Sequence, residues 1–117
     1  MKALGRLFAW LLSGVILTAA AAEPQTLQNT GCAYDPGSGR LLYVEAHEQR
    51  WQDGRNIGGT ISYSDPQGQR IATKTLDFNA DPFVPSYRLE IPGQDYTEGI
   101  AASGGKFRLT RQRRGEA

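Results

Sequence analysis

Glu45 and His47 are the residues whose types and spacing come nearest to a catalytic or metal-binding set. Two positions apart on a strand, their side chains leave the same face, where a carboxylate and an imidazole form an acid/base pair or two metal ligands. Either chemistry needs a third group, and the chain holds one His and one Cys in all. A single His on the polar face of a strand is more often a surface residue. We therefore predict no catalytic residue, no metal and no cofactor.

Other catalytic motifs do not occur in the sequence. Gly37-Ser38-Gly39 and Gly104-Gly105 lack the flanking residues of a phosphate-binding loop, and no nucleophile elbow or zinc-spaced Cys/His set is present. These exclusions favour a non-catalytic protein. A small hydrolase or metal site centred on His47 is the enzymatic alternative.

Cys32 is the single cysteine, so no disulfide can form within the chain. The residues before it, Gln28 to Gly31, are not the small apolar stretch that lipidation requires. We expect a partly buried structural thiol near the start of the mature chain. A free reactive thiol and a bridge to another chain are the alternatives.

The first 22 residues have the pattern of a signal peptide. A short basic start precedes an apolar run over 7–18, and four alanines ending at Ala22 come directly before Glu23. Small side chains at this point fit a signal peptidase, so we predict cleavage between Ala22 and Glu23 and export to the periplasm or beyond. The alternative is an uncleaved inner-membrane anchor, because 4–22 is just long enough to span a bilayer.

Size and composition limit the fold of the predicted mature chain. Of the 117 residues, 39% are hydrophobic and 21% are charged. Residues 23–117 include 22 of Val, Ile, Leu, Phe, Tyr and Trp, which is enough for one small core. This composition excludes a transmembrane bundle, a disulfide scaffold and a coiled-coil rod.

Charge is unevenly distributed along the predicted mature chain. Residues 23–105 carry 6 basic and 11 acidic side chains, whereas 106–117 carry 5 basic side chains against Glu116. The basic residues of this tail are Lys106, Arg108, Arg111, Arg113 and Arg114. They suggest peripheral contact with an anionic envelope surface, and in an exported protein we expect no nucleic-acid partner. A simpler interpretation makes Lys106 and Arg108 the solvent face of a last strand that turns Phe107 and Leu109 inward.

Alternating apolar and polar residues predict five strands, over 41–51, 57–63, 70–78, 87–91 and 107–109. Turn sequences separate them, among them Asp53-Gly54 and Pro92-Gly93. Residues 45–50 would also suit a helix. The fold class is therefore mainly β, a small antiparallel meander after an N-terminal signal helix. Its apolar face must be covered by curling into a half-barrel, by a second layer or by a partner.

These patterns divide the chain into four segments. We predict a signal peptide over 1–22, an extended lead-in over 23–40, the antiparallel β domain over 41–111 and a basic tail over 112–117.

Two stretches carry a resemblance to known proteins: Tyr43-Val44-Glu45-Ala46-His47-Glu48, and the run from Tyr63-Ser64-Asp65-Pro66 to Ala72-Thr73-Lys74. Over about 41–98 the chain resembles a group of uncharacterised exported proteins of Gram-negative bacteria, for which the resemblance implies no activity. More loosely, the meander is similar to the half-barrels of periplasmic lipoprotein carriers, whose concave apolar face holds acyl chains.

We accordingly expect an exported, non-catalytic β-sheet module of the cell envelope that binds a lipid, another apolar ligand or a partner protein. Its binding face is predicted to consist of Leu42, Val44, Ile61, Leu76, Phe78 and Leu89. The alternative function is docking on anionic envelope surfaces through the basic tail. The oligomeric state is open at this level.

Overall fold

A computed structural model describes residues 21–115, which form seven antiparallel strands in one sheet. The strands follow one another in chain order, so each pairs with its sequence neighbours. They are β1 (Gln25–Tyr34), β2 (Leu41–Gln52), β3 (Arg55–Ser64), β4 (Arg70–Asp77), β5 (Ser86–Ile91), β6 (Tyr96–Ser103) and β7 (Lys106–Arg113). A single 3₁₀ turn, Pro92–Gln94, connects β5 to β6.

Local turn chemistry explains why neighbouring strands pair. Asp53 and Gly54 both have positive φ, at 51° and 72°, as a tight hairpin with right-handed twist requires. Other turns are closed by aspartate side chains: Asp35 Oδ1 accepts a hydrogen bond from the Ser38 amide at 2.7 Å. Asp65 Oδ1 does the same for the Gln69 amide at 2.8 Å.

The predicted antiparallel meander is confirmed, and the sheet is open and uncurled rather than a half-barrel. Residues 45–50 belong to β2 and are not helical. The segment predicted as a lead-in contains β1, which pairs along its length with β2. Strand β6 was not predicted from the sequence. Within the described residues β1 and β7 are the edges of the sheet.

A β-bulge at Ile57 decides which side chains share a face. Gln52 pairs with Arg55 and Trp51 with Asn56, but Arg50 pairs with Gly58, so Ile57 has no opposite residue. One extra residue in β3 reverses the alternation of its side chains, so each β3 side chain past the bulge lies on the face opposite to the one it would have in a regular hairpin. Past the bulge, odd-numbered residues of β2 therefore lie across from odd-numbered residues of β3.

The bulge has a local cause. Gly58 has a φ of 147°, which favours glycine, and its amide donates a hydrogen bond to Asn56 Oδ1 at 2.9 Å. The amide of Phe78, just past β4, donates to the Ile57 carbonyl at 3.2 Å. These contacts hold the extra residue in place.

The register gives the sheet two unlike faces. We call one the aromatic face, defined by Tyr43, Trp51, Tyr63, Tyr87 and Tyr96; it also carries Ile61, Leu76, Leu89, Ile100, Phe107 and Leu109. We call the other the hydroxyl face, defined by Thr30, Thr60, Ser62, Thr73 and Thr75.

No second layer covers either face in the part of the chain described. Ala72, 8% exposed, is the one hydrophobic residue that is buried among these residues. Large apolar side chains such as Leu27, Phe107 and Leu109 are exposed. A sheet with one apolar face normally packs that face against another element. The aromatic face therefore presents an apolar surface that no element of residues 21–115 covers.

The predicted signal peptide lies outside the described residues except for Ala21 and Ala22, which are exposed and non-helical. The last two residues of the basic tail also lie outside them. Among the residues described, no helix has the length and apolar character needed to cross a membrane.

Candidate binding face

The aromatic face contains an open hollow of about 730 Å³ at one end of the sheet. Its walls come from the first residues of β4 and the last residues of β5, with one tyrosine each from β2 and β3. The residues lining it are Tyr43, Tyr63, Gln69, Arg70, Ile71, Ala72, Leu89, Ile91, Pro92, Gly93 and Gln94. The composition is mainly apolar, with a guanidinium and two amides available for a polar group.

Two tyrosines form one wall of the hollow. The rings of Tyr43 and Tyr63 meet edge to face, with centroids 6.0 Å apart and planes at 62°. This arrangement is favourable for aromatic pairs and fixes both rings. Burial raises the pKa of Tyr63, and the charge of Glu45 raises it further. Tyr63 is therefore a protonated hydrogen-bond donor at neutral pH and is not activated as a nucleophile.

Glu45 and His47 lie together beside this wall, as their spacing predicts. Glu45 Oε2 is 2.8 Å from His47 Nε2, and both side chains are half-buried. Their cross-strand neighbours on β3 are Tyr63 and Ile61. The residues that β3 places opposite the pair are thus a phenol and an apolar side chain, neither of them a carboxylate or a thiol.

The surroundings of the pair add no third chemical group within the described residues. Cys32 is opposite Val44, which places it on the hydroxyl face, and it is exposed rather than partly buried. Among residues 21–115 no three His, Cys, Asp or Glu side chains converge on a possible metal site. The Glu45–His47 pair can exchange a proton and anchor a polar group, but by itself it supplies neither the nucleophile nor the extra ligand that hydrolysis or metal binding requires.

A second polar cluster lies further along the aromatic face and is centred on Glu98. Its two carboxylate oxygens accept hydrogen bonds from Tyr87 at 3.3 Å and from Tyr96 at 2.6 Å. Lys74 Nζ lies 4.7 Å from the centre of the Tyr87 ring, and the Arg113 guanidinium lies 5.4 Å from that of Tyr96. These are cation–π contacts. They connect β4, β5, β6 and β7 across one face.

Glu98 also determines how these phenols titrate. The hydrogen bond to Glu98 raises the pKa of Tyr96, and burial together with the same carboxylate raises the pKa of Tyr87. Both phenols therefore remain protonated donors at neutral pH. The cluster behaves as a fixed polar network within an apolar face.

The structure does not bring the six predicted ligand-binding residues onto one face. Ile61, Leu76 and Leu89 lie on the aromatic face, and Leu89 lines the hollow. Val44 is opposite Ser64, and it lies on the hydroxyl face together with Leu42, two residues before it. The sixth residue, Phe78, comes after the end of β4.

This division results from the bulge. A regular hairpin around Asp53-Gly54 would have placed Val44 across from Tyr63, and the bulge at Ile57 places Glu45 there instead. Strand alternation alone therefore does not predict that Tyr43 and Trp51 lie on the same face as Ile61, Leu76 and Leu89. The Asn56-Ile57-Gly58 sequence, with an Asn able to bond the amide two residues on, is the signal that would have revealed it.

The basic tail does not form one patch. Lys106 and Arg108 occupy even-numbered positions of β7 and lie on the hydroxyl face. Arg111 and Arg113 occupy odd-numbered positions and lie on the aromatic face. Arg114 makes a 2.9 Å ion pair with Asp95. All eight residues of β7 are exposed, so the cations line one edge of the sheet rather than one surface.

No protein-family model, curated protein or solved structure matches this chain. Its fold and candidate site define its class as a single-layer antiparallel β-sheet with one aromatic, partly polar face.

Proposed function

We propose that this protein is an exported, non-catalytic module of the cell envelope that binds an apolar ligand through its aromatic face. The observation that carries the proposal is the exposure of that face: Leu109 is 75% exposed, and no described element covers its neighbours. Monomeric soluble proteins rarely leave a large contiguous apolar surface open, and such surfaces commonly mark sites that bind a ligand, a membrane or another protein.

The hollow indicates the chemistry of the ligand. Its volume of about 730 Å³ falls within the range of about 300–1,000 Å³ usual for small-molecule sites. Leu89, Ile91 and the tyrosine wall suit an acyl chain. Arg70 pairs with Ser64 and lines both this hollow and a polar hollow with Thr60 and Ser62, so it supplies a cation for a carboxylate at the border between the two faces. A fatty acid, or the acyl end of a lipid, combines both features.

A binding role explains the Glu45–His47 pair better than a reaction does. The pair lies on the same face as the hollow, and Tyr63 stands across from Glu45. Because Tyr63 keeps its proton, the three groups supply hydrogen bonds and charge at the border of an apolar surface rather than a nucleophile. We propose no hydrolytic or metal-dependent role for His47.

Export and membrane contact belong to the same proposal. The apolar run and alanines of 1–22 support export, which would bring the aromatic face to the lipids of the envelope. Docking on an anionic surface through the basic tail has less support, because Arg113 lies over Tyr96 and Arg114 is bound to Asp95. The cations of the tail are also divided between the two faces of the sheet, which lowers the charge that either face can present to a membrane.

The proposal is tested with a fluorescent fatty acid whose emission rises in an apolar site. We expect saturable binding to the purified protein, weakened at least tenfold by Leu89→Asn, which puts an amide into the hollow. Val44→Asn is the matched control, because it makes a similar change on the hydroxyl face. Absence of saturable binding, or equal loss in both variants with an unchanged fold, contradicts the proposal.

A further inference from the structure

Phe83 is the most exposed large hydrophobic side chain of residues 21–115, at 88%. It lies in the loop between β4 and β5, in the sequence Pro82-Phe83-Val84-Pro85. Asp81 Oδ1 accepts hydrogen bonds from the amides of Phe83 at 2.8 Å and Val84 at 3.0 Å. The two prolines fix their own φ angles. The loop therefore presents an aromatic side chain from a conformation that is already ordered.

Such presentation is what a binding anchor needs. An ordered loop loses little conformational entropy when its side chain enters a pocket, and aromatic residues are frequent anchors of interfaces. At 88% exposure, Phe83 contributes almost nothing to the packing of residues 21–115. Its apolar surface is therefore available to another molecule.

The hollow lies at the opposite end of the same two strands. Phe83 follows the end of β4 and precedes the start of β5, whereas the hollow is built from the start of β4 and the end of β5. Ile71 and Ile91 line it there. The β4–β5 hairpin thus carries an apolar knob at one end and an apolar hollow at the other.

We propose that a second copy of this chain covers the aromatic face, with each Phe83 seated in the hollow of the other copy. A two-fold axis that lies in the interface and runs perpendicular to the strands places the start of β4 in one copy over the end of β4 in the other. Both knobs then meet both hollows, so the contact is isologous and closed. The inference rests on the proposed function, because both assign the aromatic face to an apolar occupant. The second copy and an apolar ligand compete for that face.

The size of the face is sufficient for such a dimer. Seven strands spaced about 4.8 Å apart, with about eight residues each, present a face of about 30 by 25 Å. Two such faces together match the interface of about 1,600 Å² that is typical of stable complexes.

The polar groups of the face are compatible with being covered. Glu45 is bonded to His47, Glu98 accepts from two phenols, and Lys74 lies over the Tyr87 ring. Polar groups that already have partners lose less on leaving water than isolated ones. Covering the aromatic face with a second copy therefore leaves Glu45, Glu98 and Lys74 with partners inside their own chain.

Light scattering coupled to size exclusion gives the first test, on the whole chain at about 50 μM. We expect a dimer, and we expect Phe83→Ser to shift it to monomer by at least tenfold in dissociation constant. Phe83 is exposed, so its replacement does not disturb folding, which circular dichroism checks. Leu42→Ser, on the hydroxyl face, is the control and leaves the dimer intact.

Disulfide cross-linking tests the geometry independently. In a Cys32→Ser background that keeps Phe83, the double variant Val84→Cys/Gly93→Cys places one thiol beside the anchor and one in the hollow. It is expected to form a covalent dimer on mild oxidation, with each single variant giving none. A monomer at all concentrations, a dimer that Phe83→Ser leaves unchanged, or no cross-link in the double variant overturns the proposal.

The fatty-acid assay separates failure of the dimer from failure of the proposed function. If the protein is monomeric but still binds the fluorescent fatty acid, the second copy is excluded and the proposed function survives. If the protein, diluted until the dimer dissociates, shows no saturable binding of the fatty acid, the proposed function fails independently of the dimer.

Discussion

Tyr96 donates a hydrogen bond of 2.6 Å to Glu98, its neighbour two residues along β6 on the aromatic face. Tyr87 reaches the same carboxylate from β5. An ionised carboxylate shared by two phenols holds two strands together at a face that is otherwise apolar. This polar network fixes the positions of two of the five rings that define the aromatic face, those of Tyr87 and Tyr96.

The network predicts a particular alkaline titration. The pKa of Tyr96 is raised by its hydrogen bond to Glu98, so the phenol ionises at higher pH in the folded chain than its usual value of 10.0. The stabilisation is therefore complete below pH 10 and is lost as the pH rises through the higher folded value. Ultraviolet absorbance reports phenolate formation, and we expect Glu98→Gln to move the Tyr96 and Tyr87 transitions to lower pH.

Glu90→Gln is the control for that titration. Glu90 lies on the hydroxyl face and bonds Arg88 at 3.0 Å. Its replacement is expected to leave the tyrosine transitions in place. Equal shifts in both variants would show that net charge, not the hydrogen bond, raises the pKa.

Close strand packing predicts an unusually sensitive glycine on β3. A Cβ at Gly59 would collide with the backbone carbonyl oxygen of Glu48 on β2, which cannot move without opening the ladder. We expect Gly59→Ala to lower the free energy of unfolding by about 1–3 kcal/mol, the usual cost of overpacking. Urea denaturation measures the change. Gly93→Ala meets open space and should be within about 0.5 kcal/mol of the original protein.

The Phe83 loop predicts an effect of acid. Hydrogen bonds from the amides of Phe83 and Val84 hold the pKa of Asp81 below its usual value of 3.8. Because the carboxylate is the acceptor, the stabilisation from these two hydrogen bonds is complete above that pH and is lost as the pH falls through the lower folded value. We expect Asp81→Ala to abolish the exchange protection of the Phe83 amide at neutral pH, as measured by NMR. Asp65→Ala, in a different turn, should leave that amide protected.

The sequence predicts the fold class because alternation and turn residues act locally. Asp53-Gly54 and the Asp65–Gly68 turn determine hairpins without help from distant contacts, and the strands they join are predicted from the sequence. Strand β6 escapes prediction because Gly99 and two alanines give little hydrophobic alternation. The Gly104-Gly105 hairpin is its available signal, since both residues have positive φ.

The candidate site is less predictable than the fold class, because its composition depends on a one-residue offset in the pairing of β2 with β3. Glu45 and His47 share a face by simple alternation, and their proximity follows from the sequence. Which apolar residues join them depends on the bulge at Ile57, where an Asn56 side chain and the backbone freedom of Gly58 act together. Periodicity within one strand carries no information about that offset.

Methyl NMR tests the central claim most directly, because it distinguishes the two faces of the sheet residue by residue. Fatty acid is titrated into protein labelled at Ile, Leu and Val methyls, with Ile61, Leu76 and Leu89 reporting on the aromatic face and Leu42 and Val44 on the hydroxyl face. Binding through the aromatic face predicts saturable shifts at Ile61, Leu76 and Leu89, and little change at the other two. Shifts confined to Leu42 and Val44, or no shifts at any of the five, would contradict it.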